Sequence, residues 1–258
     1  MRVVALTCSN TEIVCALGCG ELLVGVDDHS DFPEDVIEPL PRMGPDLDID
    51  VAKVEALRPD LVLASLTVPG HERIIERLER AGLPYLAPEP VSIADVYADI
   101  LTIGRALSVP ERAEKLVAEL KSELDRRPEH PGSGIRVLVE WWPKPVIVPG
   151  RDSWVNQLLD AAGGVNPLGK RAVKSAPIDD AEACELEPDA IVISWCGVPF
   201  EKYRPEIVYR REAWQHLAAL KNKRVYCIPE AYLGRPGPRL VEGYRALKRI
   251  VEACATSG

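Results

Sequence analysis

The side chains best suited to chemistry are one histidine and two cysteines. His29 lies in the acidic segment 27–31, and Cys8 and Cys196 each lie just after an apolar run. A neutral imidazole can be an axial ligand of cobalt or iron, and beside a thiolate it can help to bind a bare metal ion. A hydrogen bond that orders the loop explains the same histidine more simply. We therefore predict no metal site and keep ligation by His29 as an open alternative.

Signatures of covalent catalysis are weak. Ser9 and His29 are conceivable as nucleophile and base, but the sequence places no third residue to orient the base. There is no P-loop, no Gly-x-Ser-x-Gly motif and no His-Glu-x-x-His motif. The glycines at 18–20 and 163–164 follow predicted helices, so they indicate helix ends and not phosphate loops. We therefore predict that the protein is not an enzyme and uses no cofactor.

The composition excludes several classes of partner. The chain has 258 residues, a net charge of -9 and a pI near 5.1, whereas binding to a phosphate backbone favours a basic surface. No apolar run approaches the ~18 residues of a membrane-spanning helix. The apolar run 3–6 is too short for a signal peptide, and seven cysteines are an odd number for an exported protein. We expect no nucleic-acid partner, no membrane span and a cytoplasmic location, or a periplasmic or extracellular one if a leader was removed.

An internal repeat organises the chain. Residues 50–63 (DVAKVEALRPDLVL) and 179–192 (DDAEACELEPDAIV) share five positions at an offset of about 129 residues. Each copy predicts a short helix that ends at Leu-x-Pro-Asp, followed by an apolar strand buried on both faces. The repeat therefore predicts two similar α/β lobes.

Strands and helices alternate in the remaining pattern, which is typical of parallel sheets with crossover helices. The predicted strands are 2–7, 22–26, 61–65, 84–87, 135–140, 146–148, 190–194 and 224–228. The predicted helices are 11–17 after an Asn10 cap, 51–57, 72–81, 153–162, 180–186, 212–220 and 238–254.

The segment between the halves has helical spacing of its apolar residues from 92 to 127. Pro110 interrupts it, and Ser108 with Glu111 suits a kink or a re-start there. We predict an N-terminal lobe at 1–90, a bridging helix at 91–128 and a C-terminal lobe at 129–258, with a junction at 128–134. The fold class is α/β: two Rossmann-like lobes with parallel sheets, joined by one long backbone helix. We expect a ligand cleft between the lobes.

Several segments together resemble a known family. They are 7–12, 25–33, 57–62, the bridging helix, 148–150, 154–159, 162–167 and 188–192. Their order and spacing are similar to the helical-backbone metal-receptor family, the cobalamin and iron-siderophore binding proteins of ABC importers, and most of all to its cobalamin-binding members. The resemblance implies a non-enzymatic substrate-binding protein for a cobalamin-like corrinoid.

Two alternatives stay open beside that interpretation. The first is an iron-siderophore or haem binding protein. Siderophore sites usually contain several arginines that face the ligand, and only Arg42, Arg235 and Arg239 are suitably placed here. The second is a cytosolic metal-binding protein or enzyme on the same scaffold, which would use Cys8, His29 and Cys196.

The resemblance also implies docking on a permease through an acidic residue seven positions before each repeated proline. Both of those positions are alanine here, Ala52 and Ala181. We therefore expect altered docking; the alternative is that the flanking acids Asp50, Asp180 and Glu182 replace the missing ones.

Ligand contacts in such a fold come from loops that leave the carboxyl ends of the strands. Three of the five tryptophans lie at such positions, and their flat rings suit a large planar ligand. Because neighbours on a strand alternate sides, at most one of Trp141 and Trp142 faces the ligand, and we favour Trp142. The predicted contact residues are Cys8, Ser9, Asn10, His29, Met43, Leu66, Trp142, Trp195, Tyr232 and Arg235.

Overall fold

The computed structural model describes residues 1–125 and 134–256, and the chain divides into two compact units, Met1–Leu120 and Lys121–Gly258. The boundary between the units falls inside the segment predicted as a bridging helix. Residues 126–128 of that segment and residues 129–133 of the predicted junction lie outside the described residues.

Unit one contains a four-stranded parallel sheet with the strand order β2-β1-β3-β4. Its strands are β1 (Val3–Ala5), β2 (Leu23–Val26), β3 (Leu61–Leu63) and β4 (Tyr85–Leu86), each inside a predicted run. β1 and β3 are buried at every residue, as expected for strands covered on both faces.

Six helices begin in unit one. They are α1 (Cys8–Ala16), α2 (Glu34–Ile37), α3 (Val51–Ala56), α4 (Glu72–Arg80), α5 (Ile93–Ala106) and α6 (Pro110–Leu124). α1 begins earlier than predicted, and Asn10 lies inside it. The predicted Asn10 cap is wrong because the Asn10 amide donates to the carbonyl oxygen of Ala64, 2.6 Å away, at the end of the neighbouring strand.

The predicted backbone helix forms two helices, α5 and α6, with a re-start at Pro110. Pro110 has no N–H to donate, and Ser108 has a φ of 61°, so the helical hydrogen bonds cannot continue through this point. Gly104 of α5 lies against Ala113 of α6 with no room for a Cβ atom. A single long rod is therefore replaced by two helices that pack closely beside the break.

The described residues of unit two form two three-stranded sheets. Its strands are β5 (Val137–Glu140), β6 (Trp142–Pro143), β7 (Val146–Pro149), β8 (Ser175–Ile178), β9 (Ala190–Ile193) and β10 (Val225–Cys227). One sheet is parallel, with the order β10-β9-β5, and the other is antiparallel, with the order β6-β7-β8. The sequence did not predict β6, β8 or the antiparallel sheet. β7 follows β5 too closely for a crossover helix, so it cannot join β5 in a parallel pair.

The helices of unit two are α7 (Trp154–Ala161), α8 (Asp180–Glu185), α9 (Glu206–Tyr209), α10 (Ala218–Lys221), α11 (Glu230–Leu233) and α12 (Leu240–Thr256). The helix predicted at 212–220 is not continuous. A 3-10 turn at Glu212–Trp214 and α10 replace it, because Leu217 is extended with a ψ of 140°. No helix among the described residues is long and apolar enough to cross a membrane.

The internal repeat is confirmed in atomic detail at its helix starts. Asp50 caps α3 by accepting from the backbone N–H of Lys53, at 3.2 Å. Asp179 caps α8 in the same way, accepting from the N–H of Glu182 at 2.8 Å. Each copy therefore uses an aspartate to satisfy a backbone donor that the first turn of a helix leaves open.

The ends of the two copies also match. Arg58 and Glu187, directly before the repeated prolines, both have positive φ values, 47° and 43°. Asp60 then accepts from the backbone N–H of Arg2 at 2.6 Å, and Asp189 accepts from the N–H of Arg136 at 2.8 Å. The repeated Pro-Asp pair thus joins each helix end to the start of the neighbouring strand.

Candidate ligand-binding site

The carboxyl ends of the strands in unit one lead into three loops, 27–33, 42–50 and 64–71, which we call the first rim. Arg42 forms a bridge beside Val26, and the N–H of Met43 donates to the Val26 carbonyl at 2.9 Å. Asp28 and Gly44 exchange two hydrogen bonds, of 2.9 and 3.1 Å. The first two loops therefore form one connected surface.

Asp27 is the buried anchor of the first rim. Its carboxylate accepts from the Ser30 hydroxyl at 2.5 Å and from the backbone N–H of His29 at 3.0 Å, and the Cys8 thiol lies 3.8 Å away. Burial raises the pKa of Asp27, and the bonds from Ser30 and His29 oppose that shift. The Ser30 hydroxyl also lies 2.8 Å from that of Thr11 in α1.

Arg42 also binds the backbone of loop 27–33. Its Nη1 donates to the carbonyl oxygens of Asp27 and Ser30, at 3.0 and 2.7 Å. These bonds hold the turn around His29 in place. Arg42 Nη1 therefore already donates to the protein's own backbone, and an anionic ligand would have to compete for it.

Asp46, in loop 42–50 of the first rim, contacts the other two loops of that rim. His71 is buried; its Nδ1 accepts from the N–H of Val68, so its Nε2 carries the hydrogen that it donates to Asp46 Oδ2, 3.3 Å away. His29 Nε2 lies 3.8 Å from Asp46 Oδ1. Burial by itself would raise the pKa of Asp46, but His71 and His29 hold it below its ordinary value.

His29 keeps 47% of its side chain exposed at this position. Its contacts agree with the loop-ordering interpretation, although the exposed ring leaves it accessible to a ligand. No three His, Cys, Asp or Glu side chains in the described part of the chain are arranged to hold a metal ion. The metal-binding alternative built on Cys8, His29 and Cys196 therefore gains no support.

Three large apolar side chains of the first rim face solvent. Phe32, Leu47 and Val68 are each 40 to 50% exposed. Sequence reasoning missed all three, although each lies in a segment rich in proline, glycine or aspartate, where an apolar residue is unusual. Large apolar side chains left exposed on one rim make that rim a candidate binding surface.

The other predicted contacts in unit one divide into two groups. Cys8 and Leu66 are partly exposed and lie just after the ends of β1 and β3. Ser9, Asn10 and Met43 are buried; Met43, 1% exposed, packs in the core against Gly25. These three side chains are turned into the protein, which does not favour the predicted ligand contacts.

The second rim consists of segments 141–145, 194–200 and 228–239 of unit two. At its base lies Glu140, the last residue of β5, which is fully buried. Arg211 donates to both of its carboxylate oxygens, at 2.6 and 3.0 Å, and the indole N–H of Trp195 donates to Oε1 at 2.9 Å. Arg211 and the buried carboxylate of Glu140 thus form a bidentate salt bridge.

Trp195 is a core residue and not a wall of the site. It is 3% exposed, and its ring packs on Tyr203 with 5.5 Å between ring centroids. Its burial and the bond from its indole N–H to Glu140 do not favour the predicted ligand contact. Sequence position alone could not show on which side of β9 this ring lies.

Trp142 is 41% exposed, as its assignment to the ligand requires. Its indole N–H donates to the carbonyl of Lys144 at 3.1 Å, which fixes the ring across the β6–β7 turn. Trp141 lies on the opposite side, 6.2 Å from the ring of Trp154. Phe200, 49% exposed, adds a second aromatic ring that the sequence did not single out.

Tyr232 and Arg235 lie at the end of the second rim. Arg235 is buried, and its Nε donates to Glu230 at 2.9 Å. Arg239 lies over the ring of Tyr232, 5.6 Å from its centroid. Arg235 and Arg239 are both engaged within unit two, and Tyr232 is partly exposed.

The predicted docking positions lie at the first turns of α3 and α8, where Ala52 and Ala181 are exposed. Asp50 caps α3, and its carboxylate lies 4.0 Å from Lys53 Nζ. The docking region of unit one therefore has its nearest acid partly neutralised by a lysine.

The acids flanking Ala181 are also engaged. Asp180 accepts a hydrogen bond of 2.7 Å from the indole N–H of Trp214, and Glu182 pairs with Arg171. Asp180 nevertheless remains exposed.

Comparisons with known proteins agree with this architecture. The sequence profile described as "Periplasmic binding protein" matches residues 3–232. The ABC transporter substrate-binding lipoprotein YvrC of Bacillus subtilis is 32% identical over 97% of this chain and 79% of that protein. The vitamin B12-binding protein of Vibrio cholerae is 25% identical over 93% of this chain and 85% of that protein.

Solved structures give the same picture of the fold. The periplasmic heme-binding protein RhuT from Roseiflexus sp. RS-1 has a TM-score of 0.82, with 25% identity and 98% of each chain covered. The periplasmic vitamin B12 binding protein of Vibrio cholerae has a TM-score of 0.78, with 23% identity, 98% of this chain and 97% of that chain covered.

Proposed function

Because the chain belongs to the periplasmic binding protein family, we propose that it is an ABC-type substrate-binding protein and that its ligand is a cobalamin-like corrinoid. Relatives with this fold are named for substrate binding and transport, and the proposed role needs no covalent chemistry. Affinity would come from apolar area and a few polar contacts on preformed rims.

The observation that carries this proposal is the exposed apolar area at the strand ends of each unit. Phe32, Leu47 and Val68 supply it on the first rim, and Trp142 and Phe200 on the second. A soluble protein gains no stability from leaving such side chains in water, whereas a bulky ligand with flat apolar faces can cover them. The two aromatic rings of the second rim suit a macrocycle in particular.

The arginines argue against a siderophore as the preferred ligand. Arg42 is bonded to two backbone carbonyls, Arg235 pairs with Glu230, and Arg239 lies on Tyr232. An anionic iron chelate would have to compete with each of these contacts. The rims therefore offer more apolar than cationic surface.

Haem is the second candidate, and His29 is the observation that favours it. The imidazole is half-exposed on the first rim and lies 3.8 Å from Asp46, while Asp27 accepts from the backbone N–H of the same residue. Imidazole is a common axial ligand of haem iron. The likeness to a haem-binding protein of the same fold supports this candidate as well.

Docking on a permease belongs to the same proposal, but we infer that it differs from the pattern expected of the family. The two expected acids are Ala52 and Ala181, and Asp50 lies beside Lys53. Asp180 is the flanking acid best placed to remain in contact with solvent. Docking through unit two would therefore depend on Asp180 more than docking through unit one depends on Asp50.

The test is a set of calorimetric titrations of the purified protein with cyanocobalamin, dicyanocobinamide, haemin and ferrichrome. Saturable binding of the first two at micromolar concentration or below is expected, with no binding of ferrichrome. Tight binding of haemin alone, with a Soret shift that His29→Ala abolishes, would replace the corrinoid proposal by the haem one. Binding of none of the four would refute both.

A further inference from the structure

Arg211 contacts the chain on both sides of the exposed Trp142. Its guanidinium binds Glu140 through two hydrogen bonds, and its Nη2 also lies 3.4 Å from the carbonyl oxygen of Pro143. Glu140 is two residues before Trp142 and Pro143 is one residue after it. The ends of the short segment that presents the ring are therefore attached to one side chain.

Arg211 is itself held in place by the ring of Trp214. Its guanidinium carbon lies 4.3 Å from the ring centroid of Trp214, a fully buried residue. The indole N–H of Trp214 donates to Asp180 of α8 at 2.7 Å. A planar guanidinium can stack on a ring and bind a carboxylate with two nitrogens at the same time, which an ammonium cannot do.

From these contacts we propose that Arg211 is a positioning residue for the ligand-facing ring of Trp142. Arg211 is 71 residues from Glu140 in sequence and does not itself lie on the second rim. It acts by holding the β5–β6 segment, so that the ring of Trp142 is already in place before a ligand arrives. The link to ligand affinity rests on the proposed function, whereas the effect on Trp142 does not.

The first test needs no ligand. Arg211→Lys keeps the positive charge but loses the two-pronged contact and the stacking. The ¹⁵N–H indole signal of Trp142, assigned by its loss in Trp142→Phe, is expected to shift and its hydrogen exchange to become about 10-fold faster. Arg136→Lys is the matched control, since Arg136 pairs with Glu187 and Asp189 at the amino ends of the strands.

Arg136→Lys should leave the Trp142 signal unchanged. If the Trp142 indole signal and its exchange are unchanged in Arg211→Lys as well, the proposal is overturned. Thermal unfolding of both variants shows that each is folded, so a lost signal is not mistaken for a global effect.

The second test is a double-mutant cycle for ligand affinity, with cyanocobalamin as the probe. Arg211→Lys is expected to weaken binding about 5- to 10-fold in the wild-type background and to have no further effect in Trp142→Ala. Equal weakening in both backgrounds would show that Arg211 does not act through Trp142. If the wild-type protein binds none of the four titrated probes, the proposed function fails, while the indole measurement still decides the role of Arg211.

Discussion

Asp27 in unit one and Glu140 in unit two occupy the same kind of place, and the protein stabilises them by different means. Both carboxylates are buried at the carboxyl end of a parallel strand. Neutral donors hold Asp27: a hydroxyl, a backbone N–H and a thiol. A guanidinium and an indole hold Glu140. The two copies of the fold therefore stabilise their buried carboxylates differently, and the two rims should respond differently to mutation.

The exposed parts of the rims differ as well. The first rim presents two aliphatic side chains, Leu47 and Val68, beside Phe32, whereas the second presents the rings of Trp142 and Phe200. Aromatic rings bury more area and prefer flat partners. A planar ligand is therefore expected to gain more of its affinity from the second rim than from the first.

The largest expected effect is the loss of the buried ion pair in unit two. Arg211→Met removes the cation but keeps an apolar side chain on Trp214, and Glu140 then stays buried without its charged partner. Such a loss typically costs ~3–5 kcal/mol in the free energy of unfolding. Denaturant unfolding at neutral pH measures it.

Arg136→Met is the control for that prediction. The Arg136 side chain is 39% exposed and its ion pairs are at the surface of the same unit, so its loss should cost at most ~1 kcal/mol. Similar losses in the two variants would show that burial of Glu140 does not set the strength of its pairing with Arg211.

The next effect concerns the unequal share of the two rims in ligand binding. Trp142→Ala is expected to weaken cyanocobalamin binding about 10-fold, and Leu47→Ala about threefold, because the ring offers more area for stacking. Both side chains are largely exposed, so the free energy of unfolding should change little in either variant. Calorimetric titration measures the two affinities.

Trp195→Phe separates the exposed indole from the buried one. It removes the N–H that donates to Glu140, so it should cost ~1–3 kcal/mol of stability while the affinity stays close to that of the wild type. A loss of affinity in Trp195→Phe as large as that in Trp142→Ala would restore the prediction that both tryptophans contact the ligand.

The local pattern was sufficient to predict the repeat and the parallel sheets. The helix stop at Leu-x-Pro-Asp depends only on neighbouring residues. In the structure α3 and α8 both end directly before this motif. The exposed Trp142 was also predictable, because alternation along a strand separates it from Trp141.

Long-range pairing was not predictable in the same way. The acidic residue that ends the apolar run 137–139 indicates a buried charge, but nothing local identifies Arg211 as its partner. The burial of Trp195 and Met43 depends on which face of the sheet receives them, and each was assigned to the ligand instead. The hydrogen bond between Asp46 and His71 likewise joins residues that are 25 positions apart in sequence.

The smallest expected effect is the contribution of Asp27 to the pH dependence of stability. Burial raises its pKa above the usual aspartate value of 3.8, so the folded state binds its proton more tightly than the unfolded chain does. The stability that this provides is complete below pH 3.8 and is lost as the pH rises through the folded-state pKa. The side-chain amide introduced by Asp27→Asn does not titrate. The free energy of unfolding of this variant should therefore rise relative to that of the wild type between pH 3.5 and neutrality. The slope is the decisive quantity, because the amide also changes the bond to the His29 N–H by an amount that does not vary with pH. Asp28→Asn removes an exposed carboxylate from the same loop and is the matched control. If the pH profile of Asp27→Asn is parallel to that of the wild type, the neutral donors of the first rim stabilise the charged carboxylate as fully as water does, and the prediction fails.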